Sequence, residues 1–231
     1  MPARIPGVAH VIQNPGMFAD NALRTIGMAT PLGLFPVFTG DGRSAPVSTE
    51  DIAECAVALL AVPEPHAGKS YRPTGPTVLS GGDRAAEVAR TTGRRVRAVN
   101  LPFRMLLKVA RMDGVNPHDA LSWRHFVRVH RAGAFEARAS VTDLVPRLAG
   151  RPAEDFATIA RRSGARAPAR RRPTNMARML ARMAILPLVP RLDIDAHACA
   201  LGFPAPPAPR LSAEDAGWRA AHGLPRLAAA E

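Results

Sequence analysis

Apolar positions in the first 160 residues come in short blocks cut by proline and glycine, and the period changes from block to block. Ala9-His10-Val11-Ile12-Gln13 is a β-prone run stopped by Asn14-Pro15-Gly16, because proline lacks the ladder N–H and glycine releases the backbone. Phe18, Ala22, Leu23 and Ile26 then recur at helical spacing across Met17 to Met28. Residues 30–43, with three glycines and two prolines, read as irregular surface. Ser48 followed by Asp51 is a capping signature, and Ile52, Ala56, Leu59 and Leu60 form one stripe of the helix it opens. The grammar repeats: Tyr71 in a short extended piece, a turn at Gly75-Pro76, then a cap at Ser80 with Asp83 and a helix running to Gly93. A strand over 96–101, helices over about 102–112 and 118–130, and two short helices at 141–144 and 152–156 complete the pattern, the last with Pro152 in its first turn.

Beyond Arg161 the pattern dissolves. Six of residues 161–172 are Arg, and Ser, Gly, Ala and Pro fill the rest, so a flexible basic linker is expected. Met176, Leu180, Met183 and Leu186 share one side of an amphipathic helix that Pro187 and Pro190 cut short, and Trp218 is expected to anchor the tail. The division predicted is 1–160 as the folded body, 161–175 as an Arg-rich linker, and 176–231 as a helical, Pro-rich tail.

Composition sharpens this. The 231 residues are 47% hydrophobic, enough to build a core, and no apolar run approaches the ~18 residues that span a bilayer. Cys55 and Cys199 are too few for a disulfide framework or a four-thiolate zinc site, which suits a reducing cytoplasm. The net charge of +12 rests on Arg, since Lys69 and Lys108 are the only lysines, and twelve Arg lie at or after Arg161. That tail could meet an acidic partner. Aromatics make up only 5% of the chain and none lies in the Arg cluster, which argues against base stacking and nucleic-acid readout.

Four blocks in order carry a family resemblance. They are Val11-Ile12-Gln13-Asn14-Pro15-Gly16-Met17-Phe18-Ala19-Asp20-Asn21, Pro46-Val47-Ser48-Thr49-Glu50-Asp51-Ile52-Ala53, His66-Ala67-Gly68-Lys69-Ser70-Tyr71 with Thr74-Gly75-Pro76 and Leu79-Ser80, and Leu148-Ala149-Gly150-Arg151-Pro152 with Phe156. Together they resemble the C-terminal half of the NmrA-like atypical short-chain dehydrogenase/reductases. The resemblance implies an α/β chain: the C-terminal portion of a Rossmann-type fold, lacking the N-terminal dinucleotide-binding strands, plus a partly helical tail. It implies NAD(P) as cofactor, a small-molecule substrate, and a partner or second copy that completes the sheet. It also points to Asn14, Pro15, Gly16 and Phe18 as cofactor-side residues, with Asn14 standing where the family usually has Arg.

The residues themselves set limits on that chemistry. No G-x-x-G-x-x-G or G-x-G-x-x-G occurs, so the amide cradle for a diphosphate is missing, and Gly81-Gly82 is a poor substitute. Tyr71 is the only tyrosine and Gly75, not Lys, stands four residues on, so the Tyr-Lys proton shuttle of short-chain dehydrogenases is absent. His125 and His130, five apart on a helix, fall on different faces, and His10, His66 and His118 have no clustered partners, so no metal site is expected. Ser48, Ser80 and Ser140 have capping roles, and Cys55 reads as a small buried residue. The chain therefore reads as a substrate- or partner-recognition lobe, silent in catalysis by itself. The competing reading is a non-enzymatic interaction protein acting through its Arg-rich tail.

Overall fold

The computed structural model describes residues 8–135, 141–165, 170, 172–203 and 217. Its β structure is two parallel pairs. β1 (Ile12–Gln13) pairs with β3 (Ser70–Tyr71), and β2 (Leu34–Val37) pairs with β4 (Arg97–Asn100). Single bridges from Phe18 to Val47 and from Ser44 to Leu79 extend these pairings through the intervening loops. Parallel strands need crossover helices, and the chain supplies them: α1 (Ala19–Leu23) and α2 (Ile26–Leu32) precede β2, α3 (Thr49–Ala61) precedes β3, and α4 (Gly81–Thr92) precedes β4.

Two expectations are corrected here. Residues 30–43 are not irregular surface, because Gly33 adopts φ +70 to end α2 and Leu34–Val37 then forms a strand with Phe35 and Val37 in the core. Pro36 is tolerated because a two-stranded piece demands pairing on one side only. The apolar run over 17–28 is two helices, broken at Arg24-Thr25.

The helix caps follow local chemistry. In α4 the Ser80 hydroxyl accepts from the Asp83 amide at 3.1 Å and the Asp83 carboxylate accepts from the Ser80 amide at 2.8 Å, a complete capping box, while Gly93 closes the helix at φ +65. That hydrogen bond from the Ser80 amide holds the Asp83 carboxyl below its ordinary pKa. Ser48 likewise accepts from the Asp51 amide at 3.0 Å, but the Asp51 carboxylate does not return the bond. It is fully buried instead, accepting from the Glu154 amide at 2.9 Å and lying 2.8 Å from the Arg151 guanidinium.

α5 (Phe103–Met112) and α6 (Pro117–Arg131) follow β4, and α7 (Leu144–Ala149) packs against α3. Asp155, not Pro152, starts the next helix: its side chain accepts from the Thr158 amide at 2.7 Å and α8 (Phe156–Gly164) runs past the expected boundary. Phe156, Ile159 and Ala160 of α8 join Ala85 and Val88 of α4, Phe35 and Val37 of β2, and Leu23 and Ile26 in the main core. Packing continues beyond α8. After α9 (Pro173–Ile185), Leu192 and Ile194 at the start of α10 (Ile194–Ala200) meet Leu107, Ala110 and Ala120 in a second cluster on α5 and α6. The tail residue Trp218 lies outside the described residues. Among those described, no helix is long and apolar enough to cross a membrane.

Candidate functional site: an apolar cavity with a buried arginine

β2, with α1, α4, α5 and α6, lines a half-open cavity of about 350 Å3 beside the main core. Its apolar lining is Met17, Ala22, Phe35, Val37, Phe38, Leu106, Trp123, Phe126 and Val127. Asn21, Thr25, Thr39 and Ser122 bring uncharged polar groups. The two ionic side chains of the lining, Arg24 and Arg84, are both cations, and no carboxylate is present. Volume and apolar walls of this kind suit a small organic ligand.

Arg84 is the unusual member. It projects from α4 into the interior, is 2% exposed, and its Nε donates to the Ser80 carbonyl at 3.1 Å. One terminal nitrogen, Nη1, lies 3.5 Å from the Met17 sulfur, a weak acceptor, and the other, Nη2, has no hydrogen-bond partner. Burial pulls its pKa down to about 10 against the opposing pull of Asp83, so the guanidinium stays charged at neutral pH. Arg24, at the break between α1 and α2, sits with its guanidinium carbon 5.4 Å from the centroid of the Trp123 ring, a cation–π arrangement at the cavity wall.

Behind this cavity lies a second buried polar group. His130 is fully buried, with its ring centroid 5.8 Å from that of Phe126 and 5.1 Å from that of Phe135. Nε2 is 3.4 Å from the Ser44 hydroxyl, which itself donates to the Met17 sulfur at 3.0 Å, while Nδ1 is unpartnered. Burial, with the nearby Arg84 charge, drives the His130 pKa down to about 4, so the imidazole is neutral at pH 7. Gly42 is required beside it, since a Cβ there would stand 2.3 Å from His130 Nδ1.

The residues singled out from sequence fall close by, but not in the cavity lining. The Asn14 amide donates to the Tyr71 carbonyl at 2.8 Å and the Gly16 amide to the Pro73 carbonyl at 3.0 Å, so both are engaged in the β1–β3 pairing and its extension. Pro15 lies between them, and Phe18, which caps α1, is 37% exposed. From the same run, Met17 and Asn21 are the residues that reach the cavity. Gly81 is explained by packing, because a Cβ would lie 2.8 Å from the Val37 methyls.

Tyr71, four residues before Gly75, is hydrogen-bonded at 2.6 Å to His66 Nδ1 and takes no part in the cavity. Cys55 is fully buried, and burial, with Asp51 beside it, raises its pKa, so it is an inert core thiol. Arg161 and Arg162 belong to α8, not to a linker, and Arg162 binds Glu154 at 2.9 Å and Glu50 at 2.7 Å within the chain. Arg166 and Arg171 of that cluster lie outside the described residues. Among the described residues no group of His, Cys, Asp and Glu side chains is arranged to hold a metal ion.

Parallel strand pairs with crossover helices, and an apolar cavity beside them, make this an α/β fold. Comparison with known proteins agrees. No protein-family model matches the chain. It is 31% identical over 155 residues to an NAD(P)H azoreductase of Xenophilus azovorans, covering 67% of this chain and 53% of that protein. It is 30% identical over 153 residues to a (4-alkanoyl-5-oxo-2,5-dihydrofuran-3-yl)methyl phosphate reductase of Streptomyces griseus subsp. griseus, covering 66% of this chain and 52% of that protein. The fold matches that of an NADPH-dependent quinone oxidoreductase from Escherichia coli with a TM-score of 0.58 at 21% identity, over 67% of this chain and 55% of the other. Over about two thirds of its length, the chain is similar to NmrA-like, NAD(P)-binding atypical reductases. It spans about half the length of the curated relatives it matches.

Proposed function

We propose that this chain is the substrate-recognition lobe of an NmrA-like, NAD(P)H-dependent reductase, with the cavity walled by Trp123, Phe126 and Phe38 as its substrate pocket. The observation that carries the reading is that half-open apolar cavity, lined by Met17 and Asn21, in a chain similar to this family. NAD(P) would supply the hydride. Asn14, Pro15, Gly16 and Phe18 would flank the nicotinamide end of the dinucleotide, a placement supported by the exposed Phe18 next to the helix that lines the cavity. With no glycine-rich diphosphate motif in its sequence, the chain would rely on a cofactor-bearing half, and would neither hold the dinucleotide nor turn over alone. Its two free cysteines suit the cytoplasm.

The test is equilibrium binding of a neutral flat aromatic, 2-naphthamide, followed by quenching of Trp123 fluorescence in a Trp218→Phe background. Saturable quenching is expected, and it should be lost in Ser122→Phe, where a bulky ring at an exposed position closes the cavity mouth. Quenching that is absent in the parent, or that survives the blocking substitution, removes the cavity as a ligand site. In parallel, NADPH should leave the melting temperature unchanged, whereas a ligand bound at 100 times its Kd would stabilise the fold by about 2.7 kcal/mol.

A further inference from the structure

The reading of the cavity as a substrate pocket leaves open what it prefers, and Arg84 answers that. A guanidinium taken out of water without an acceptor is costly, and proteins hold one in that state where something else completes it. Arg84 is 2% exposed, lines the cavity, and keeps Nη2 unpartnered. Its other contacts, the Ser80 carbonyl and the Met17 sulfur, fix the plane of the fork and do not neutralise its charge. The second ionic residue of the lining, Arg24, is engaged with the face of Trp123, and no carboxylate of the lining competes for either cation. Phe38, Trp123 and Phe126 of the same lining offer flat apolar faces.

We propose that the cavity selects organic anions, a planar aromatic body seated among Phe38, Trp123 and Phe126 with a carboxylate or sulfonate accepting from the free Nη2 of Arg84. The inference rests on the substrate-pocket reading above and adds the charge of the ligand. A charge-assisted hydrogen bond in a water-poor site is strong and directional, so the anion should be preferred over its neutral isostere by tenfold or more.

The experiment compares 2-naphthoate with 2-naphthamide on the full 231-residue chain carrying Trp218→Phe, by Trp123 fluorescence at pH 7. The expected result is at least about a tenfold lower Kd for the naphthoate. Arg84→Met, which keeps the length of the side chain and removes a buried charge, should abolish the preference, bringing the naphthoate Kd to that of the naphthamide in the same variant. Arg84→Lys should restore part of the preference, and thermal melts confirm that each variant is folded. Equal affinities in the parent chain overturn the inference and leave the substrate-pocket reading standing. A preference that survives Arg84→Met but vanishes in Arg24→Gln moves recognition to Arg24 and likewise overturns it. If neither compound quenches Trp123, the pocket reading itself fails and the inference with it.

Discussion

Acidification should weaken this fold through one residue. His130 is neutral and fully buried, with its pKa lowered to about 4 by burial and by Arg84, against about 6.5 in the unfolded chain. Between those values the unfolded state binds the extra proton, so stability is complete above pH 6.5, falls as pH drops toward 4, and levels off below it. The full window is worth about 3 kcal/mol, and the part between pH 7 and pH 5 about 2 kcal/mol. Urea denaturation followed by far-UV circular dichroism reads this directly. With a slope of about 2 kcal/mol/M the midpoint should drop by about 1 M from pH 7 to pH 5. The interval is chosen because carboxylates such as Asp83, held low by the Ser80 amide, begin to lose their contribution only below about pH 4.5. His130→Gln removes the titrating group, so its midpoint, lower at pH 7, should change little over the same interval. Parallel falls in the parent and the variant would refute the assignment of the acid sensitivity to His130.

Gly75→Ala would place a Cβ 1.9 Å from the Pro46 carbonyl oxygen, a backbone overlap that cannot relax, and should lower stability by on the order of 3 kcal/mol in urea denaturation. Asp51→Ala would strip the buried partner from the Glu154 amide and from Arg151, detaching α7 and the entry to α8 from α3, and should cost about 3 kcal/mol, with little relief from added salt. Ser80→Ala removes the acceptor for the Asp83 amide at the start of α4 and should cost about 1 kcal/mol, read as a fall in melting temperature with unchanged spectra.

Features set by neighbouring residues were the legible ones. Ser80, Asp83 and Gly93 delimit α4 because capping box and left-handed terminus are local chemistry. The same rule misreads Asp51, whose spacing from Ser48 is identical but whose carboxylate is captured by Glu154 and Arg151, about a hundred residues further on. β2 was hidden by Pro36 and by the Gly33 before it, residues that signal a turn when nothing reveals the partner strand at 97–100. Asn14, Pro15, Gly16 and Phe18 do not line the cavity, because strand pairing engages the Asn14 and Gly16 amides with β3 and its extension, while Met17 and Asn21 of the same run reach it. Arg84 carried no signal at all. An arginine in the first turns of a helix reads as part of a solvated face, and its burial is decided by β2 and α6, elements distant in sequence.

The central claim is that this chain brings a ligand cavity and no dinucleotide cradle, and crystals of it soaked with 2-naphthoate and NADPH together address both halves. The account predicts naphthoate density between Trp123 and Phe126 with its carboxylate in hydrogen-bond reach of Arg84, and no ordered NADPH. An empty cavity, or NADPH seated through its diphosphate on a single copy of the chain, would contradict it.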